Sequence, residues 1–109
     1  MEHDAAAASL AELGNPHRLA IFRFLVKAGF EGASVGNIQN ALEIPGSTLS
    51  HHLSRMASVG LITQKKQGRS IICVPQYGHL QAVIEFLCNE CCIGLEEEVV
   101  PAPGAEQEC

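Results

Sequence analysis

Over residues 34–74 the spacing of apolar residues changes once, and that change limits what the chain can fold into. In "SVGNIQNALEI" Ser34 sits where a helix N-cap belongs, and Val35, Ile38 and Leu42 share one helical face. Pro45 and Gly46 then make a turn. In "STLSHHLSRMASVGLI", residues 47–62, Ser47 is the expected cap. Leu49, Leu53 and Met56 fall at i, i+4 and i+7, which predicts one buried stripe. Ser50, Ser54 and Arg55 lie away from that stripe, and Gly60 ends the helix. From Leu61 the pattern becomes β-branched, with runs at Leu61–Gln64 and Ser70–Val74 around the basic tip "KKQGR". Two short helices across a tight turn, followed by a basic hairpin, predict a mainly α winged helix-turn-helix with a two-stranded wing.

The flanks read as further helices. Residues 5–13 are rich in alanine and leucine. In "GNPHRLAIFRFLVKAG" Asn15 is a good N-cap and Pro16 suits the first helical position, where its missing N–H is harmless. Leu19, Phe22, Leu25 and Val26 predict its buried face, and Gly29 its end. The last helix is expected over residues 79–92, with Leu80, Val83, Ile84, Leu87 and Cys91 in one stripe. A stripe outside the trihelical core predicts a homodimer with Leu80, Val83, Ile84 and Leu87 at the interface. The expected division is a DNA-binding and dimerisation domain over 1–93 and an acidic, disordered tail over 94–109.

A net charge of −5 looks unsuited to nucleic acid, but its distribution does not. All seven Lys and Arg residues lie between Arg18 and Arg69, and residues 15–81 carry +5 while the ends carry −10. A basic centre of this kind can bind phosphate whatever the total charge. No Lys or Arg precedes the N-terminal alanines, and no apolar run reaches the length of a spanning helix, so a cytoplasmic protein without membrane contact is expected. No nucleophile–base–acid set stands out. Cys88-x-x-Cys91 resembles a redox motif but lacks a βαβ context, so no enzyme is expected.

"LGNPHRLAIFRFL", "STLSHHLSRMASVGLI" and "KKQGRSIICV" together resemble the opening, recognition helix and wing of the ArsR/SmtB metal-responsive repressors. The resemblance covers about residues 10–90. It implies a homodimer joined through its first and last helices that represses an operon on double-stranded operator DNA until an inducer binds. Ser47, Thr48, Ser50, His51, Ser54 and Arg55 on the recognition helix, with Lys65 and Arg69 on the wing, become candidate DNA contacts. His51 and the neighbouring His52 then belong to DNA contact or helix packing rather than to metal.

No cofactor is expected for DNA binding itself. Two of the family's sensor sites are not matched. "SVGNIQNAL" has no cysteine where one arsenic site would stand. In the last helix His79 stands for the first histidine of a zinc pattern, but Tyr77 replaces its acid and Glu90 its second histidine. The chain offers "CNECC" instead. On a continuous helix at about 100° per residue, Cys88, Cys91 and Cys92 would occupy about a third of the circumference. Soft thiolates without histidine suit trivalent arsenic or antimony better than zinc. The expected inducer site is the Cys91–Cys92 pair, with Cys88 or Cys109 as third ligand, and Cys73 is expected in the core. A thiol redox or persulfide switch with the same cysteines, and an interaction module without DNA binding, are the alternatives.

Overall fold

The computed structural model describes residues 1–95. Its elements run α1 (His3–Leu13), α2 (Pro16–Ala28), β1 (Ala33–Ser34), α3 (Val35–Leu42), α4 (Gly46–Ser58), β2 (Ile62–Gln67), β3 (Ser70–Pro75) and α5 (Tyr77–Cys88). Asn15 caps α2 by accepting from the backbone N–H of His17 and Arg18, with Pro16 at the first position. Ser34 caps α3 through the N–H of Asn37. The expected cap at Ser47 is not formed: α4 starts at Gly46, after Pro45, without a side-chain cap.

The core lies where α2, α3 and α4 meet the inner face of the sheet. Leu49, Leu53 and Met56 of α4 are fully buried there, with Ile21, Phe22 and Leu25 of α2, Ile38, Leu61, Ile62 and Cys73. The buried face of α2 differs from expectation. Ile21 is inside, whereas Leu19 and Val26 are 44% and 38% exposed. In a helix this rich in apolar residues, periodicity alone admits both faces.

The wing is longer than expected and belongs to a three-stranded antiparallel sheet in the order β1-β3-β2. β2 and β3 pair from Ile62↔Pro75 to Gln67↔Ser70, so only Gly68 and Arg69 form the loop. Gly68 has a positive φ of 63°, the conformation that type II′ hairpins require at their first loop position. β1 adds Ala33↔Cys73 and Ser34↔Ile72. Gly32 admits this strand: a Cβ there would come within 2.2 Å of the Cys73 carbonyl oxygen.

α5 is the main departure. It begins at Tyr77 and ends at Cys88 rather than spanning 79–92. Glu90 and Cys92 have φ of 64° and 65°, so the segment carrying Cys91 and Cys92 is a series of turns. Within α5, His79, Val83 and Phe86 share the face turned to α1. His79 Nε2 lies 2.7 Å from Ser9 Oγ, and the Phe86 ring meets His3 edge-on. Val83 is therefore 2% exposed within a single chain and Leu80 packs half-buried against its core, which corrects the assignment of both to a free stripe. Ile84 and Leu87 remain 39% and 60% exposed. Among the described residues no helix is long and apolar enough to cross a membrane.

Candidate nucleic-acid interface

α4 divides its residues sharply. Leu49, His52, Leu53 and Met56 face inward, while Ser47, Thr48, Ser50, His51, Ser54 and Arg55 are exposed. The outer face thus offers four hydroxyls and one imidazole, groups able to donate and accept hydrogen bonds, beside the Arg55 guanidinium. The uncapped first turn adds backbone N–H groups that have no partner within the helix, which favours an anion. Lys65 and Arg69 are exposed on the wing. Lys65 lies opposite Ile72, on the sheet face away from Cys73, and Arg69 stands at the loop.

The adjacent histidines separate into two roles. His51 is exposed. His52 is 7% exposed, with its Nδ1 3.3 Å from an Arg18 guanidinium nitrogen and its ring stacked on His17 at 5.9 Å between centroids. An arginine can only donate, so this contact requires a neutral His52 with its proton on Nε2. Burial, then the charge of Arg18 and the nearby His17 and His51, push the His52 pKa below its ordinary value.

Arg55 is tied back into the chain. Its Nε and a terminal nitrogen each donate to a different carboxylate oxygen of Glu12, both at 3.0 Å. Glu12 is 7% exposed, and the Arg18 Nε also approaches it, 2.8 Å from its carbonyl oxygen and 3.1 Å from Oε1. The hydrogen bond from Arg55 holds the Glu12 carboxyl below its usual range against the opposing effect of burial. Glu12 was not singled out by the sequence, where it reads as one more acid in an acidic flank.

The cysteines do not form the helical array expected of them. Cys91 and Cys92 are exposed in the turns after α5, with their Sγ atoms 3.1 Å apart. Cys88, at the end of α5, is half-buried. Among the described residues no group of three His, Cys, Asp or Glu side chains is arranged to hold a metal ion. Among the described residues the thiols shown in contact are Cys91 and Cys92, and Cys109 lies outside the described residues. Cys73 is fully buried, and burial raises its pKa, which keeps it a thiol. His79 is engaged with Ser9.

Residues 13–65 match a family model described as a helix-turn-helix domain. An uncharacterised HTH-type transcriptional regulator of Methanocaldococcus jannaschii is 31% identical over 67 residues, which cover 62% of this chain and 73% of that protein. Among solved structures, an ArsR-like transcriptional regulator from Rhodococcus sp. RHA1 superposes with a TM-score of 0.69 at 22% identity, covering 78% of this chain and 77% of the other. HlyU from Vibrio cholerae gives 0.66 at 29% identity, covering 84% and 99%. A homodimeric winged helix-turn-helix DNA-binding domain from Mycobacterium bovis, a possible ArsR-family regulator, gives 0.63 at 22% identity, covering 91% and 89%. With its recognition helix, wing and flanking helices in this arrangement, the chain belongs to the helix-turn-helix transcriptional regulators, a non-enzymatic family, and carries the ArsR/SmtB-like winged-helix fold.

Proposed function

We propose that the chain is a homodimeric repressor that binds operator DNA through α4 and the wing and is released when trivalent arsenic or antimony binds Cys91 and Cys92. The observation that carries the inducer reading is the 3.1 Å contact between two exposed thiols. They lie just beyond a helix whose outer face still exposes Ile84 and Leu87. Those two residues and the exposed Leu10 of α1 support dimerisation through α1 and α5. DNA binding is supported by the exposed hydrogen-bonding face of α4 beside cationic residues of the wing.

The chemistry at the pair is a ligand exchange. Each thiol gives its proton to a hydroxyl on arsenic, which leaves as water while an As–S bond forms, and nothing is oxidised or reduced. Two thiols leave one position on arsenic to a third ligand, Cys88 or Cys109, or to a substituent already on the metalloid. Because Cys91 and Cys92 already lie outside α5, binding need not unwind that helix. Its effect on DNA affinity would come from reordering the turns beside the dimer-forming face.

The same contact favours one second reading, oxidation of the pair to a disulfide by a persulfide or peroxide. Titrating the protein–DNA complex with arsenite, antimonite, methylarsenite, zinc and a persulfide donor separates the two. Arsenite or antimonite should release DNA from the parent and from Cys73→Ser, while Cys91→Ser and Cys92→Ser keep DNA and ignore the metalloid. Release by arsenite from the Cys91→Ser/Cys92→Ser double variant would place the sensor elsewhere. Release by the persulfide donor alone, reversed by a dithiol reductant, would select the redox reading.

A further inference from the structure

The sequence places Arg55 on the DNA-facing side of the recognition helix, yet its guanidinium is committed to a carboxylate from another helix. Both Glu12 oxygens accept from Arg55 at 3.0 Å, the bidentate geometry that fixes orientation as well as distance. Arg55 stands in the last turn of α4, whereas Ser47, Thr48, Ser50 and His51 occupy its first two turns. One turn before Arg55, the buried His52 meets Arg18, whose Nε also lies 3.1 Å from Glu12 Oε1. The C-terminal half of α4 is thus fastened to α1 and α2 through one carboxylate, and its N-terminal half is left open.

The anchor is itself held. α1 is tied to α5 by Ser9 Oγ and His79 Nε2 at 2.7 Å, and Ser9 is fully buried. The His79 ring also packs against Gly60, where a Cβ would meet it at 3.2 Å. Gly60 lies two residues beyond the end of α4. Both routes out of the C-terminal end of α4 therefore lead to α1 and α5.

We propose that Glu12 is a positioning residue for DNA binding, and that Arg55 acts as the strut through which it sets the direction of the recognition helix rather than as a phosphate contact. This rests on the DNA-binding reading above. A phosphate contact and a strut differ in salt dependence. Removing a phosphate contact lowers the slope of log affinity against log salt by about 0.9 per site, or about 1.8 in a homodimer. Removing a strut lowers affinity and leaves the slope in place. They also differ in their response to Glu12. Neutralising Glu12 frees Arg55, which strengthens binding if Arg55 reaches phosphate and weakens it if Arg55 positions α4.

The test uses the full chain and a duplex that the protein itself selects from a random pool, followed by anisotropy across a salt series. Glu12→Gln and Arg55→Ala should each weaken binding about fivefold or more. Their slopes should match the parent's, and the double variant should be no weaker than the worse single. Glu12→Asp keeps the charge and should recover part of the loss. It also covers the case in which Glu12→Gln fails to fold, as thermal melts would reveal. A lower slope in Arg55→Ala, or parent-like or tighter binding by Glu12→Gln, overturns the proposal. If the parent selects no duplex at any salt, the DNA-binding reading itself falls, and that outcome is visible before any variant is made.

Discussion

Replacing Lys65 and Arg69 together by alanine should markedly lower the salt sensitivity of DNA binding. The β2–β3 pairing continues to Gln67↔Ser70, so the wing is hydrogen-bonded almost to its tip, with Lys65 on the paired ribbon and Arg69 in the two-residue loop that closes it. Both are exposed, so their loss removes charge without opening the core. In a homodimer the double substitution deletes four cations. At about 0.9 per neutralised phosphate, the log–log slope should fall by about 3.6. Between about 50 and 200 mM salt that amounts to about two decades of affinity change that the parent shows and the variant does not. Anisotropy with a selected duplex at four or five salt concentrations measures the slope, and a thermal melt checks that the fold is kept. A slope unchanged to within about one unit, with binding retained, would refute the assignment. The phosphate-neutralising surface would then have to lie elsewhere, with the exposed Arg23 and Lys27 of α2 the next to test.

His52 makes stability depend on pH: its pKa is depressed in the fold by burial and then by Arg18, so the unfolded chain takes up a proton that the native state resists. Stability should be full above the ordinary histidine value of about 6.5 and fall as pH drops below it, through the folded pKa, in urea titrations. His52→Gln should flatten that fall; an equal fall in parent and variant would assign it to other groups. Ile84→Asp combined with Leu87→Asp should yield monomers in sedimentation at micromolar concentration, because both exposed side chains lie on the proposed interface. Val83→Ala should instead cost about 1–3 kcal/mol of stability and leave the association state alone. A persistent dimer in the first variant would move the interface off α5.

What the sequence made legible, and what it hid, follows from the range of the interactions involved. The stripe of Leu49, Leu53 and Met56 repeats within one helix, and all three are fully buried as their spacing predicts. The caps at Asn15 and Ser34 are also local, and both form. β1 could not be read, because two residues have no period and exist as a strand only through pairing with β3, some forty positions away. The end of α5 was misplaced for a different reason. Cys91 continues an apolar repeat, but the backbone turns left-handed at Glu90, and the two thiols approach through turn geometry rather than helical spacing. The role of Glu12 was invisible because its partners, Arg18 and Arg55, come from two other helices.

These contacts also redistribute the charge that the sequence counted as one basic centre. Of the seven Lys and Arg residues, Arg18 and Arg55 are paired with Glu12, an acid outside the segment in which the positive charge was counted. The recognition helix therefore presents hydroxyls and His51 with little free positive charge, while Lys65 and Arg69 stand apart on the wing. Phosphate contacts hold a protein on DNA without reading sequence, whereas neutral donors and acceptors in the groove distinguish bases. On the DNA-binding reading proposed above, affinity and specificity fall to different elements. Substitutions on the wing should weaken all duplexes alike and reduce the salt slope. Substitutions at Ser50, His51 or Ser54 should change which duplex is preferred and leave the slope alone.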